Sequence, residues 1–537
     1  PKELAFADLF QYFMLEQGIH LWGSLRCFLS TAHQPADLEQ IVAAASATLA
    51  KMEEGGFLEP AEEPSATSPR QERQGTETSP TPSIDVAQTL DTAQTLAQIW
   101  STLLGVEEVG PDDDFFALGG DSLMAIQAVD MARRSGIALS QFQMVDHPRL
   151  ADLARVAQGT EGSDSGESDV IDTGGDEAPA SGPVPLMPYQ DYFLAEIDTP
   201  NPHHWNVTVL YAVPRRFDRA ALARAVESLV HRHDALRLRF IPQGDRWQQV
   251  YSEASDAIPL SVIDLGRVAE GGRRSALETA ADQAQRSLLL GQGPTVRFVY
   301  FELADSKRDR LLFVAHHLVI DNISVDILID DLQTAYARLE RGQTPDLPAT
   351  TASFQAWAER LAGYAQAPVL EAELGYWLGL PWSQTGRLPV DLPAGENTTL
   401  SGQTVELTIS QPKTTILLRH VTRRFTVKPE EIFLTALLLA LVRWTGRPEH
   451  VIGLLHHGRE PLFEDLDVSR TVGGFNSHYQ VVLGLDDTDD IAQALQSVSS
   501  QRRQIPHNGL GFGVLRHLSR DLETVDRLKA LPPADVF

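Results

Sequence analysis

Apolar positions in this chain fall into stretches of different period, separated by two stretches with none. Within 87–158, Leu96, Ile99, Trp100 and Leu103 recur at helical spacing, as do Leu123, Ile126 and Val129, and later Leu150, Leu153 and Val156. That pattern predicts three or four short helices around one small core. From 184 onward both periods occur. Residues 205–211 and 310–315 read as strands, and 220–231 and 325–339 as amphipathic helices, which predicts an α/β unit. Residues 59–86, rich in Pro, Ser, Thr and Glu, and 159–183, rich in Gly, Ser and acidic residues, have neither period. Neither stretch can bury enough apolar surface to offset its ordering entropy, so both read as linkers, the second one flexible. Residues 1–58 form a further segment, with a helical pattern over 35–52.

Composition narrows the class. A chain of 537 residues is too long for one core, so several domains are expected. No run of 18 apolar residues occurs, which predicts no membrane span. A net charge of −29 argues against nucleic acid, whose phosphates demand clustered Lys and Arg. The single cysteine, Cys27, allows no internal disulfide and fits the reducing cytoplasm. The chain opens on Pro1 without a leader and stops at Phe537 without a cap, and so reads as a fragment of something larger.

The most specific stretch is Asp114-Phe-Phe-Ala-Leu-Gly-Gly-Asp-Ser122-Leu-Met-Ala. Two glycines allow a sharp turn and Ser122 opens an apolar-periodic helix, where a hydroxyl is exposed for modification. This run resembles the attachment motif of acyl and peptidyl carrier proteins. The resemblance implies a small four-helix carrier bundle over 87–158, with covalent 4′-phosphopantetheine on Ser122 delivered by a phosphopantetheinyl transferase. The run GIHLWGSLRCFLSTAH at 18–33, with the helix after it, is similar to the last part of class III pyridoxal-phosphate aminotransferases of the glutamate-semialdehyde type. Residues 1–58 would then be a truncated α/β tail. Pyridoxal phosphate would belong to the missing part, since only Lys2 and Lys51 are present and neither has a cofactor context.

The strongest catalytic candidate is His316-His317-Leu-Val-Ile-Asp321, at the end of a predicted strand and before a predicted helix. Adjacent histidines on extended backbone point oppositely, so one should face the site and the other the fold. That spacing does not suit a metal pair, and no metal is expected. The motif is accompanied by VPLMPYQ at 184–190, RHDALRLRF at 232–240, His457-Gly-Arg459-Glu460, VGGFN at 472–476 and IPHNGLGFG at 505–513. This ordered set resembles the condensation-domain superfamily of nonribosomal peptide synthetases. It implies two chloramphenicol-acetyltransferase-like α/β halves over 184–537, with the second half cut short. It also implies His317 as the active-site histidine, His316 beside it, and Asp321 as a structural acid held by an arginine, for which Arg459 is the candidate. The family's glycine after the Asp is Asn322 here, a residue that tolerates positive φ.

Two chemistries remain open from the sequence. Epimerisation asks for two acid/base groups flanking an α-carbon. By resemblance the second is a glutamate, and its position falls on Leu455, with His456 as the only evident substitute. Amide formation asks for one histidine, so condensation is the expected activity, epimerisation the alternative and a non-catalytic carrier-docking platform a third reading. The expected partners are acyl and aminoacyl thioesters and downstream carrier and adenylation domains. Domain order suggests a β-amino acyl donor on Ser122.

Overall fold

The computed structural model describes residues 27–30, 86–157 and 181–537, apart from positions 107, 121, 198, 245, 253–257, 305–308, 348–350, 393–394, 396–397, 399–400, 406 and 487. The aminotransferase-like tail, except a short strand Cys27–Ser30, lies outside the described residues, as do the first linker and most of the second.

Residues 86–157 carry the helices α1 (Val86–Leu104), α2 (Ser122–Arg134), α3 (Gln141–Asp146) and α4 (Leu150–Val156). Leu96, Ile99 and Trp100 of α1, Val129 of α2 and Leu150 and Leu153 of α4 share one buried core, whereas Ile126, on the same apolar spacing in α2, packs into the core of the α/β unit instead. Phe115 fills the same core, and a Cβ on Gly120 would lie 2.4 Å from its ring. The turn before Ser122 is therefore packed against the core and admits no larger residue at 120.

After α5 (Pro188–Glu196), a four-stranded sheet is ordered β1–β4–β3–β2, from β1 (Asn206–Ala212), β2 (Leu260–Asp264), β3 (Val296–Glu302) and β4 (Arg310–His316). Pairing is antiparallel for β1 with β4 and β4 with β3, and parallel for β3 with β2. In the central strand β4, Leu311, Phe313 and Ala315 face the main core, and Leu312 and Val314 face a second cluster under α7 (Glu270–Arg286). The period of two thus feeds two apolar layers, and for this reason the strand reads as a continuous apolar run. The main-core layer packs on α6 (Arg219–Arg232) and α8 (Asn322–Glu340). Helix α8 starts three residues earlier than its apolar period predicts. Asp321 caps it, its carboxylate accepting from the Ser324 N–H at 2.7 Å.

The second half contributes α9 (Phe354–Tyr364), α10 (Pro429–Thr445), the antiparallel pair β5 (Glu449–His456) and β6 (Ser477–Gly484), α11 (Ile491–Arg503) and α12 (Leu510–Leu518).

Helix α2 lies against this α/β unit. Ile126 joins its main core, Arg133 pairs with Asp467 at 2.5 Å, and Arg134 pairs with Asp330 at 2.6 Å. Arg470 bridges Asp130 of α2 at 2.6 Å to the buried Asp331 at 2.5 Å. Partly exposed ion pairs weaken as salt shortens the screening length. Small-angle scattering of Arg133→Glu/Arg134→Glu should therefore show a larger radius of gyration than wild type, and wild type should expand on going from low to ~1 M salt. Equal compactness in all cases would contradict an electrostatic hold.

Candidate active site

The HHxxxD loop sits where β4 ends and α8 begins. His316 is fully buried, with both ring nitrogens committed: Nε2 donates to the Pro202 carbonyl at 2.8 Å and Nδ1 accepts from the Leu318 N–H at 3.2 Å. Burial, with its histidine neighbours, lowers its pKa to about 3. His316 stands among the catalytic candidates in the sequence, but its geometry is that of a neutral tie between the loop and the 202–205 segment, with no nitrogen left for a substrate.

His317 turns the other way. Its N–H donates to the Trp205 carbonyl at 2.8 Å and its Nδ1 lies 3.0 Å from the Ile320 carbonyl. A carbonyl only accepts, so Nδ1 carries the proton and Nε2 presents a lone pair. The ring stands 5.1 Å from Trp205 and 6.0 Å from Tyr189, and burial holds its pKa below the ordinary histidine range. His317 is thus a neutral imidazole with one open, basic nitrogen.

Asp321 and Arg459 meet as the resemblance implies. Arg459, with no exposed surface, donates from Nη2 to both Asp321 oxygens at 2.9 and 3.0 Å and from Nε at 3.1 Å. Its Nη1 reaches the carbonyls of Val468 and Thr471, both at 2.7 Å, and its guanidinium lies 4.0 Å from the Phe475 ring centroid. One side chain therefore fixes the HHxxxD loop and the 468–475 segment together. Backbone contact tightens the join, since a Cβ on Gly474 would lie 2.7 Å from the Leu318 carbonyl oxygen. The tolerance of Asn322 for positive φ is not needed: Asn322 is exposed and begins α8, outside the left-handed residues Thr426, His507 and Asn508.

Leu455, at the position assigned by resemblance to a glutamate, lies near the end of β5 and is 37% exposed. His456 does not replace it. Its Nδ1 stands 2.7 Å from Glu460 Oε1, though not aligned as a hydrogen bond, and alternation along the strand turns it from the face that Leu455 occupies. His457 Nδ1 accepts from the Arg459 N–H at 2.9 Å, which leaves its proton on Nε2, 3.6 Å from the same Glu460 oxygen. Burial alone would raise the pKa of Glu460, but His456, His457 and Asn508 outweigh it and hold it at about 2. His456, His457 and Glu460 bring ligand-type atoms within 4.8 Å of one another. In this tautomer the His457 Nε2–H points its proton toward the Glu460 carboxylate.

Sequence reasoning missed the aromatic wall. Tyr189 and Tyr192, three residues apart on α5, stack at 6.5 Å. Their helical spacing is visible in the sequence, but the face they line is not.

The family model "Condensation domain" matches residues 180–531, and "Phosphopantetheine attachment site" matches 94–157. The chain is 41% identical over 449 residues to a linear gramicidin synthase of Brevibacillus parabrevis, spanning 83% of this chain but 8% of that relative. Among solved structures, the epimerization domain from the third module of tyrocidine synthetase B is 31% identical, with a TM-score of 0.61 over 66% of this chain and 79% of that one. The first condensation domain of the calcium-dependent antibiotic synthetase shares the fold at 18% identity, with a TM-score of 0.50 over 66% of this chain and 80% of that one. No helix among the described residues is long and apolar enough to cross a membrane. The chain belongs to the condensation-domain family of nonribosomal peptide synthetases, with a phosphopantetheine-attachment carrier domain ahead of its two-lobed α/β condensation domain.

Proposed function

We propose that the condensation domain transfers the acyl group held as a thioester on Ser122 to an amine presented by a further carrier. The phosphopantetheine arm supplies the thiol that carries the acyl group. Ser122 suits it, because it opens α2 directly after the packed glycine turn, where a helix N-terminus favours a phosphate. In the transfer the amine nitrogen bonds the thioester carbon, the C–S bond breaks, and one proton passes from nitrogen to the leaving sulfur. His317 Nε2 takes and returns that proton, while Asp321 and Arg459 hold the loop that aims it.

The open Nε2 of His317 carries this reading, since amide formation asks for one such group. The test is acyl transfer from the loaded protein to an aminoacyl-pantetheine, followed by mass spectrometry. Ser122→Ala should accept no arm from coenzyme A and a phosphopantetheinyl transferase. Labelling that persists in that variant would move the attachment site elsewhere.

Epimerisation is the second reading, favoured by the 31% identity to an epimerization domain. Leucine at 455 places it second. A β-amino acyl donor follows only if residues 1–58 are an aminotransferase tail. The proposed partners are a phosphopantetheinyl transferase and downstream carrier and adenylation domains.

A further inference from the structure

Leu455 has a cross-strand partner, and it is a histidine. In the β5–β6 register Leu455 lies directly opposite His478. Directly opposed residues of an antiparallel pair project from the same face, with Cβ atoms about 4.5–5.5 Å apart. An imidazole at 478 can therefore cover the space that a longer side chain at 455 would reach. The ring of His478 packs 4.7 Å from Tyr192 and 4.8 Å from Phe537. Tyr192 stacks on Tyr189, and Tyr189 meets His317 at 6.0 Å. A continuous aromatic wall thus runs from one imidazole to the other. His478 is partly exposed and, unlike His316, His456 and His457, has neither ring nitrogen tied to a carbonyl, an N–H or a carboxylate. Burial, with His517 and Arg516 nearby, lowers its pKa to about 4, so at neutral pH it presents a lone pair.

We propose that His478 is a second proton-handling group of this site, and that with His317 it gives the domain a second activity: α-proton exchange on the carrier-bound aminoacyl thioester. One neutral imidazole takes the α-proton, and the C–H electron pair moves into the thioester carbonyl to give an enolate. The other ring, protonated by solvent, returns a proton to the α-carbon, and the first ring then releases its own proton to solvent. No proton is gained or lost overall, and no oxidant or metal is needed. This inference rests on the reading that the domain acts on the Ser122 thioester.

The test uses the full protein, loaded on Ser122 with L-phenylalanyl-pantetheine, in deuterated water and without any acceptor amine. Wild type should gain one α-deuteron faster than free L-phenylalanyl-pantetheine. His478→Gln, which keeps size and polarity but cannot carry the proton, should slow the gain by roughly 10²-fold. Adding Leu455→Glu to His478→Gln should restore exchange, because the two side chains share one face of the sheet. The rescue also separates loss of chemistry from loss of folding. Exchange in wild type no faster than in the free thioester, or unchanged in His478→Gln, overturns the proposal. Amide formation without exchange would refute the role of His478 and leave the amide reading standing. Exchange without amide formation would do the reverse.

Discussion

Arg459→Ala should destabilise the condensation domain by about 3–5 kcal/mol, the usual cost of removing one partner from a buried ion pair. Asp321 is 1% exposed and would be left without the fork of three guanidinium contacts. The carbonyls of Val468 and Thr471 would lose their donor in the same step. Arg459→Lys keeps the charge but has no planar fork to serve one carboxylate and two carbonyls together, so it should recover only part of the loss. The midpoint of denaturant unfolding, followed by tryptophan fluorescence, reads both variants. A midpoint for Arg459→Ala within error of wild type would show that the pair is not what joins the HHxxxD loop to the 468–475 segment.

His317→Ala should leave the fold intact and lower acyl transfer by about 10²–10⁴-fold, the range for a general acid/base group. The ring makes a single hydrogen bond, to the Ile320 carbonyl, so its removal strands no buried charge. His316→Ala should act through stability instead, because it frees the Pro202 carbonyl and the Leu318 N–H at once. The two adjacent variants therefore separate in different assays, transfer rate for one and unfolding midpoint for the other. Equal effects in both assays would remove the distinction drawn from their ring nitrogens.

The sequence and the structure agree best where a signal is local. The period of two over 310–315 becomes β4, and the apolar spacing over 96–103 becomes the packing face of α1. Strand alternation predicts separate roles for His316 and His317, and the two rings do take different partners, the Pro202 carbonyl for one and the Ile320 carbonyl for the other. The Asp321–Arg459 pair, 138 residues apart, came only from family resemblance, since no local pattern reports so distant a contact. The early start of α8 is hidden because its first residue, Asn322, is polar and exposed, whereas the cap at Asp321 signals it. His478 escapes notice for a different reason. Reading along the chain finds His456 beside Leu455, but strand pairing puts His478 across from it, and register is a tertiary fact. The hold on α2 by Asp330, Asp467 and Arg470 is likewise invisible in a sequence where each looks like a solvated surface charge.

The most direct measurement of the central claim is single-turnover acyl transfer. The protein is loaded on Ser122 with an acyl-pantetheine and mixed with an aminoacyl-pantetheine amine, and intact mass follows the carrier and the acceptor together. Wild type should lose the acyl mass from its arm as the acceptor gains it through an amide bond, and His317→Ala should do so about 10²–10⁴-fold more slowly. Transfer at the same rate in wild type and His317→Ala, or an acyl group that never leaves Ser122 in wild type, would contradict the claim.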